Sequence, residues 1–243
     1  MGMYGWRARI GVLIPTNNTV IEPEFGMWSA EGVTFHFTRM ISSRSGHGSI
    51  EGLRHLVTNV DRAVEELSIT GVQMMLYGCL STSLAIPGWE KSFLEKVKKW
   101  SSIPAQTAFG ATCAGLKAFS AEKIAILCPY GEELQRLARE AFSKHGFNVK
   151  ALTSLNVTGL RSVCNVAPEK VYTAAVEMEK GDAEALCILA TDLPTFPVLK
   201  KIEEDSGLPV ISSNQALLWA AESVTKTVKK NTEYGSLFVK RYF

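Results

Sequence analysis

The stretch RIGVLIP at residues 9–15 returns as KIAILCP at residues 123–129, an offset of 123 − 9 = 114 residues. The segment that follows keeps this offset, because Glu31-Gly32-Val33 aligns with His145-Gly146-Phe147. The repeat continues at offsets of 181 − 71 = 110 and 208 − 103 = 105, in the pairs GVQMMLYGCL from Gly71 with GDAEALCILA from Gly181, and Ile103-Pro104 with Leu208-Pro209. Several aligned segments at nearly constant offsets indicate two similar halves that differ slightly in loop length.

Short apolar, β-branched runs alternate with longer amphipathic segments along the whole chain, which is typical of parallel strands joined by crossover helices. Strands are predicted at Arg9–Ile14, Val33–Thr38, Val72–Tyr77, Lys123–Cys128, Phe147–Leu152, Ala185–Ala190 and Pro209–Ser212. Helices are predicted at Ile50–Leu67, Trp89–Trp100, Thr107–Phe119, Glu132–His145, Pro168–Glu179 and Asn214–Val228. The near-continuous apolarity of the first and fourth strands indicates that helices cover both faces of each sheet. The fold class is therefore α/β, with two pseudosymmetric doubly wound parallel-sheet halves.

We assign the halves to residues 1–110 and 111–220, followed by a C-terminal helix and tail, 221–243, that packs back on them. Ligands of doubly wound sheets bind at the carboxyl ends of the strands, so the active site is expected between the halves. The loop Ser42–Ser49 (SSRSGHGS) is either a lid over this cleft or a solvated connection.

The composition is that of an ordinary folded chain, with 46% hydrophobic residues, 21% charged residues and a formal net charge of +2. This balance argues against nucleic acid or a membrane as partner, and no apolar run is long enough to span a bilayer. Without a secretory signal pattern at its start, the chain is expected to be cytoplasmic. The basic, aromatic tail after Lys226 favours packing on a neighbouring subunit, so a homodimer is expected.

Five cysteines at positions 79, 113, 128, 164 and 187 are far apart and form neither a C-x-x-C motif nor a Cys/His cluster. We therefore expect reduced thiols, with no disulfide framework and no metal site. Cys79 alone follows directly on a buried strand, in YGCLSTS, where backbone N–H groups and hydroxyls are expected to lower the pKa of its thiol. A lone cysteine is more often a small buried hydrophobe, which is how we interpret the other four.

Three further strand ends carry polar side chains. After the first strand, PTNNT places Asn17 and Asn18 either at a helix N-cap or against a ligand carboxylate. After the fourth, Tyr130 either donates its hydroxyl to an oxyanion or anchors the next helix. After the sixth, Thr191 and Asp192 form a turn that repeats the Cys79 turn without a thiol, and Asp192 is predicted to cap a helix that begins near Pro194.

The ordered set PTNNTVIEPEF, FHFTRM, YGCLSTS, IPAQT and CPY closely resembles the group of maleate cis-trans isomerases and arylmalonate decarboxylases in the aspartate/glutamate racemase superfamily. The resemblance covers residues 8–220 and implies an enzyme without cofactor or metal that binds small mono- or dicarboxylic acids between its halves. It implies that Cys79 is the catalytic cysteine and that Tyr130 acts with it. The substrate contacts implied are the side chains of Asn17 and Asn18 and the amides around Leu80, Ser81, Thr191 and Asp192.

The chain departs from this pattern at the second turn, where isomerases and racemases of the group carry another thiol and this sequence has Ala190. Two one-thiol mechanisms are consistent with that change. In the first, Cys79 adds to a cis-enedioate, the resulting single bond rotates, and loss of the thiolate leaves the trans isomer. In the second, a substituted malonate loses carbon dioxide and Cys79 protonates the enediolate, from the face opposite to that used by the known decarboxylase. We expect the isomerase, with the decarboxylase second and a non-catalytic carboxylate-binding protein as a third alternative.

Overall fold

The computed structural model describes residues 4–28, 30–42, 49–157, 159, 161–226 and 232–242. Its strands are β1 Ala8–Pro15, β2 Val33–Met40, β3 Met74–Tyr77, β4 Ala105–Thr107, β5 Lys123–Cys128, β6 Asn148–Ser154, β7 Ala185–Ile188 and β8 Val210–Ser212. Its α-helices are α1 Ile21–Trp28, α2 Ile50–Val57, α3 Val60–Ile69, α4 Leu80–Ala85, α5 Trp89–Trp100, α6 Ala108–Ala118, α7 Glu132–Lys144, α8 Pro168–Glu177, α9 Leu199–Ser206 and α10 Ser213–Thr225. Within these ranges no helix has the length and apolarity needed to cross a membrane.

The strands form two parallel four-stranded sheets with the same topology, β2-β1-β3-β4 and β6-β5-β7-β8. The strand registers follow the sequence repeat. Ile10 pairs with Phe35 and Ile124 with Val149, so both partners are shifted by 114 residues (124 − 10 and 149 − 35). The structure thereby confirms the α/β class and the two-sheet repeat.

The two sheets share one core, because each one packs against helices of the other half. Helix α6, which follows the first sheet, packs against α10 and β8, and α10 in turn contacts β1, β3 and β4. The central strands β3 and β7 are buried along their whole length, as expected for strands covered on both faces. A single large hydrophobic cluster accordingly includes side chains from both sheets.

Several short elements differ from the sequence predictions. Residues 105–107, predicted to open a helix, form the edge strand β4, and Thr107 then caps α6 by accepting a hydrogen bond from the N–H of Gly110. The single helix predicted over 50–67 is broken into α2 and α3 near Thr58. The hydroxyl of Thr58 donates a hydrogen bond to the backbone carbonyl of His55 at this break. The strand predicted to reach Ala190 ends at Ile188. Helix α4 was not predicted, because six residues give too short a periodic pattern. Helix α1 follows the turn for which a helix N-cap was one of the two predictions, and α9 begins at Leu199, later than the start predicted near Pro194.

Candidate active site

A cavity of about 260 Å³ opens at the carboxyl ends of the strands, where loops of both halves meet. Its polar side is formed by Asn17, Cys79, Ser81, Tyr130 and Asp192. Its apolar lining includes Leu53, Leu56, Leu134, Val157 and Val163. Of the lining residues that the structure describes, Asp192 is the one with a charged side chain, and the other polar ones offer hydrogen bonds to a ligand. Most of the predicted loop Ser42–Ser49 lies outside the described residues, although Ser42 itself lines the cavity.

Cys79 occupies the N-cap position of α4, directly after β3. The side chain is 5% exposed. Two hydrogen bonds in series lead to the sulfur of Cys79. The Tyr77 hydroxyl donates to Thr82 Oγ1 at 3.1 Å, and Thr82 Oγ1 donates to Cys79 Sγ at 3.1 Å. Ser81 Oγ lies 3.5 Å from the same sulfur. The first N–H groups of a helix have no partner within it, so the amides of Leu80 and Ser81 can donate hydrogen bonds to a ligand anion.

The expectation of a lowered pKa for Cys79 is wrong. Burial raises the pKa of this thiol, and the hydrogen bonds from Thr82 and Ser81 offset that rise only in part. The negative charge of Asp192 acts in the same direction as burial. The free enzyme therefore holds Cys79 as a neutral thiol, which must lose its proton during any reaction in which the sulfur acts as a nucleophile.

The second turn is joined directly to the Cys79 turn. Thr191 Oγ1 donates a 2.8 Å hydrogen bond to the carbonyl of Gly78, and Asn18 Nδ2 donates to Thr191 Oγ1 at 3.2 Å. Ala190 adopts a left-handed backbone with φ of 91°, which is costly for a residue with a Cβ and turns the chain so that Asp192 enters the cavity. The side chain of Thr191 is thus used to connect the halves, while Asp192 faces the ligand space.

Asp192 does not cap a helix. After the turn, the chain forms a short 3-10 segment at Phe196–Val198 and then α9, neither of which has a side-chain cap. Burial raises the pKa of the Asp192 carboxyl to about 6, while its own N–H and the Asn17 side chain oppose the rise. The carboxyl is therefore mostly ionised at neutral pH and titrates about one pH unit below it.

The two asparagines of the first turn have different positions. Asn18 is fully buried, and its Oδ1 accepts hydrogen bonds from the N–H groups of Val20 and Ile21, so it caps α1. Asn18 is absent from the cavity lining as described, whereas Asn17 belongs to it. Asn17 Oδ1 is buried and has no hydrogen-bond partner among the described residues. Of the pair predicted to contact a carboxylate, Asn17 is the residue that the structure brings to the cavity.

Tyr130 lines the cavity from the second half, at the end of β5. Its hydroxyl is buried and lacks a partner within the described ranges, and burial raises its pKa well above the ordinary value. A neutral phenol without a partner is ready to donate a hydrogen bond to a ligand oxygen. Its backbone carbonyl also accepts hydrogen bonds from Gln135 and Ser154, so the residue additionally anchors α7.

Sequence reasoning missed several residues that support the site. Thr82 and Tyr77 position the Cys79 thiol by hydrogen bonds, but nothing in their spacing distinguishes them from core residues. Glu90 accepts a hydrogen bond from Ser83 at 2.5 Å and another from Thr107, which holds α4 against β4. Cys164, half-buried, donates its S–H to the carbonyl of Asn17 at 3.3 Å. All five cysteines are unpaired in the structure. Over the described ranges, no three His, Cys, Asp or Glu side chains group as metal ligands would.

Two parallel sheets of identical topology, with a cysteine turn at the cavity between them, define an α/β protein with a candidate cysteine site. The chain belongs to the arylmalonate decarboxylase family, which it matches over residues 10–238. It is 26% identical to the maleate isomerase of Geobacillus stearothermophilus over 220 residues, covering 84% of this chain and 86% of the relative.

Solved structures show the same fold. A maleate isomerase variant from Pseudomonas putida S16, crystallised with maleate, superimposes with a TM-score of 0.89 at 24% identity, covering 97% of this chain and 98% of that one. A Nocardia farcinica maleate cis-trans isomerase variant with a covalently bound succinylcysteine intermediate gives a TM-score of 0.86 at 24% identity, with coverage of 95% and 98%. The predicted family and fold class are thereby confirmed.

Proposed function

We propose that this chain is a cysteine-dependent isomerase that interconverts the cis and trans forms of a small unsaturated dicarboxylic acid, as maleate isomerases do. The observation that carries the proposal is the position of Cys79, which lies at the start of α4 in the cavity where the turns of both halves meet. No cofactor is invoked, because a thiol and hydrogen-bond donors suffice for the chemistry.

In the proposed reaction the sulfur of Cys79 bonds to one alkene carbon, and the electron pair of the double bond moves to the neighbouring carbon. The charge spreads into the adjacent carboxylate, where the hydroxyl of Tyr130 and the amides of Leu80 and Ser81 stabilise it. The alkene has become a single bond and rotates. Reversal of the addition then releases the trans acid. A succinylcysteine, as found in the Nocardia variant, is the saturated adduct that forms when the second carbon also takes up a proton before the addition is reversed.

The second candidate is decarboxylation of a substituted malonate, with Cys79 as proton donor. Two observations favour it: the thiol is kept protonated by burial, and leucine and valine side chains line the same cavity as the polar residues. The same hydrogen-bond donors would stabilise the enediolate that forms when carbon dioxide leaves. A carboxylate-binding protein without turnover is the third candidate.

One assay distinguishes the three. The purified protein is incubated separately with maleate and with phenylmalonate, and fumarate and carbon dioxide are measured. The isomerase predicts fumarate, the decarboxylase predicts carbon dioxide, and a binding protein yields neither while still binding ligand in calorimetry. The Cys79→Ala variant is the control: it abolishes either activity but leaves the ligand affinity of a binding protein intact. Absence of both products would refute both named activities.

A further inference from the structure

The geometry points to Asp192 as the acid-base group that carries the proton opposite Cys79, in place of the second thiol that this chain lacks. The inference rests on the proposed isomerase and adds to it the residue that exchanges a proton with the second alkene carbon. The proposed addition requires a proton acceptor, because a neutral thiol cannot form the sulfur–carbon bond unless another group takes its proton.

The two turns are held in contact by one hydrogen bond, and each is followed by a side chain that enters the cavity. The bond joins Thr191 Oγ1 to the carbonyl of Gly78 at 2.8 Å. Asp192 directly follows Thr191, and Cys79 directly follows Gly78. Both Asp192 and Cys79 line the cavity. The carboxyl group and the thiol are therefore presented to one ligand from two adjoining turns.

The carboxyl group of Asp192 and the thiol of Cys79 interact electrostatically within the cavity. The charge on Asp192 contributes to the raised pKa values of both Cys79 and Tyr130. The carboxyl itself, with a pKa raised to about 6, is mostly a carboxylate at neutral pH and so can accept a proton, while its pKa is close enough to neutral for it to return that proton. Asn17 holds it by a hydrogen bond.

Other groups near the cavity are poor candidates for this role. Tyr130 keeps its proton, so it can donate a hydrogen bond but cannot act as a base near neutral pH. Cys164 is outside the cavity lining as described, and its S–H is used by the carbonyl of Asn17. The carboxylate of Glu90 is occupied by Ser83 and Thr107. Among the described residues that line the cavity, Asp192 is the remaining side chain that titrates in the useful range.

The proton balance of the reaction is closed by this one residue. As the sulfur of Cys79 bonds to the first alkene carbon, the Asp192 carboxylate takes the S–H proton and delivers it to the second carbon, where the displaced electron pair has gone. This gives the saturated thioether. After rotation, the carboxylate removes a proton from the second carbon, the double bond forms again, and the carbon–sulfur bond breaks. The thiolate then recovers its proton from Asp192.

The test compares the wild type with Asp192→Asn, which keeps the shape of the side chain but removes its basicity. Asp182→Asn is the matched control, because Asp182 precedes β7 at the opposite end of the strand and pairs with Lys123 and Lys150 at the surface. With maleate in deuterium oxide, we expect the wild type to place deuterium on the alkene carbon of fumarate. Asp192→Asn should lower kcat by about 100-fold or more, as expected for the loss of a general acid-base group. Turnover and deuterium uptake that equal those of the wild type would overturn the inference.

A second measurement separates failure of this inference from failure of the proposed function. N-Ethylmaleimide is itself an activated cis-alkene, and its addition to Cys79 can be followed by peptide mapping without any turnover. If Asp192 is the base, the alkylation rate of the wild type rises with a midpoint near pH 6, and Asp192→Asn slows it near neutral pH. If Asp192 instead acts through its charge alone, Asp192→Asn lowers the pKa of the Cys79 thiol and speeds its alkylation. Either a faster rate or an unchanged rate in this variant would overturn the inference. Asp192→Glu, which retains a carboxyl, should keep part of the wild-type rate and so exclude misfolding as the cause.

Discussion

Glu24 connects the two halves through a buried carboxyl, and its ionisation should make the protein less stable as the pH rises. The side chain lies on α1 and is 3% exposed. Its Oε1 accepts hydrogen bonds from the N–H groups of Thr195 and Phe196, at 2.5 and 2.9 Å, and its Oε2 accepts one from Asn214 Nδ2 at 2.6 Å. Burial outweighs these donors and raises the pKa from 4.5 to about 7.

A carboxyl with a raised pKa binds its proton more tightly in the folded state than in the unfolded state. The stability linked to Glu24 is therefore fully present below about pH 4.5 and is lost as the pH rises through about 7. At about 1.4 kcal/mol per pKa unit, this loss amounts to about 3 kcal/mol. Glu24→Gln has no such ionisation. Its carbonyl can keep both backbone donors, and the bond to Asn214 is lost at a cost of about 1 kcal/mol that does not vary with pH.

The assay is urea unfolding of the wild type and Glu24→Gln at several values between about pH 5 and about pH 8, followed by tryptophan fluorescence. The wild type should lose about 3 kcal/mol relative to the variant over this range, so Glu24→Gln becomes the more stable protein at the upper end. Contributions from other raised carboxyls, such as Asp192, cancel in the difference. Glu22→Gln, on the same helix but half-exposed and paired with Arg39, controls for loss of one charge. A difference that is constant, or that favours the wild type as pH rises, would refute the reasoning, because the donors would then outweigh burial.

Three further predictions concern the site and the assembly. Thr82→Val leaves the buried Tyr77 hydroxyl without its partner and should lower the free energy of unfolding by about 1–3 kcal/mol. Adding Tyr77→Phe to this variant should restore most of the lost free energy, and additive losses in urea unfolding would contradict the prediction. Ala190→Gly relieves the strain of a left-handed φ of 91° and should raise the melting temperature by about 2–4 °C. The reason is that the strain relieved, about 1–2 kcal/mol, exceeds the entropic cost of glycine. A lower melting temperature would argue against strain at this position. The predicted homodimer should give twice the chain mass in light scattering, and a monomer would refute it.

Much of the fold was predictable because it is encoded in local pattern. Strands β1 and β5 are continuous apolar runs, and α5 was predicted from Trp89 to Trp100 with the bounds that the structure has. Segments of this kind carry enough residues for their periodicity to be recognised. Strand β4 and helix α4 carry too few, and they form because neighbouring elements hold them: Thr107 and Ser83 both bond to Glu90.

The sequence by itself determined that the chain has two α/β halves, that Cys79 ends a buried strand, and that the equivalent turn has Ala190 in place of a thiol. These properties follow from residue identity and spacing alone. Tertiary structure decided that Asn17 and not Asn18 reaches the cavity, that the Cys79 thiol is neutral, and that Asp192 faces the ligand space instead of capping a helix. The physical reason is that ionisation and hydrogen bonding depend on burial and on contacts between residues more than a hundred positions apart, such as Gly78 with Thr191.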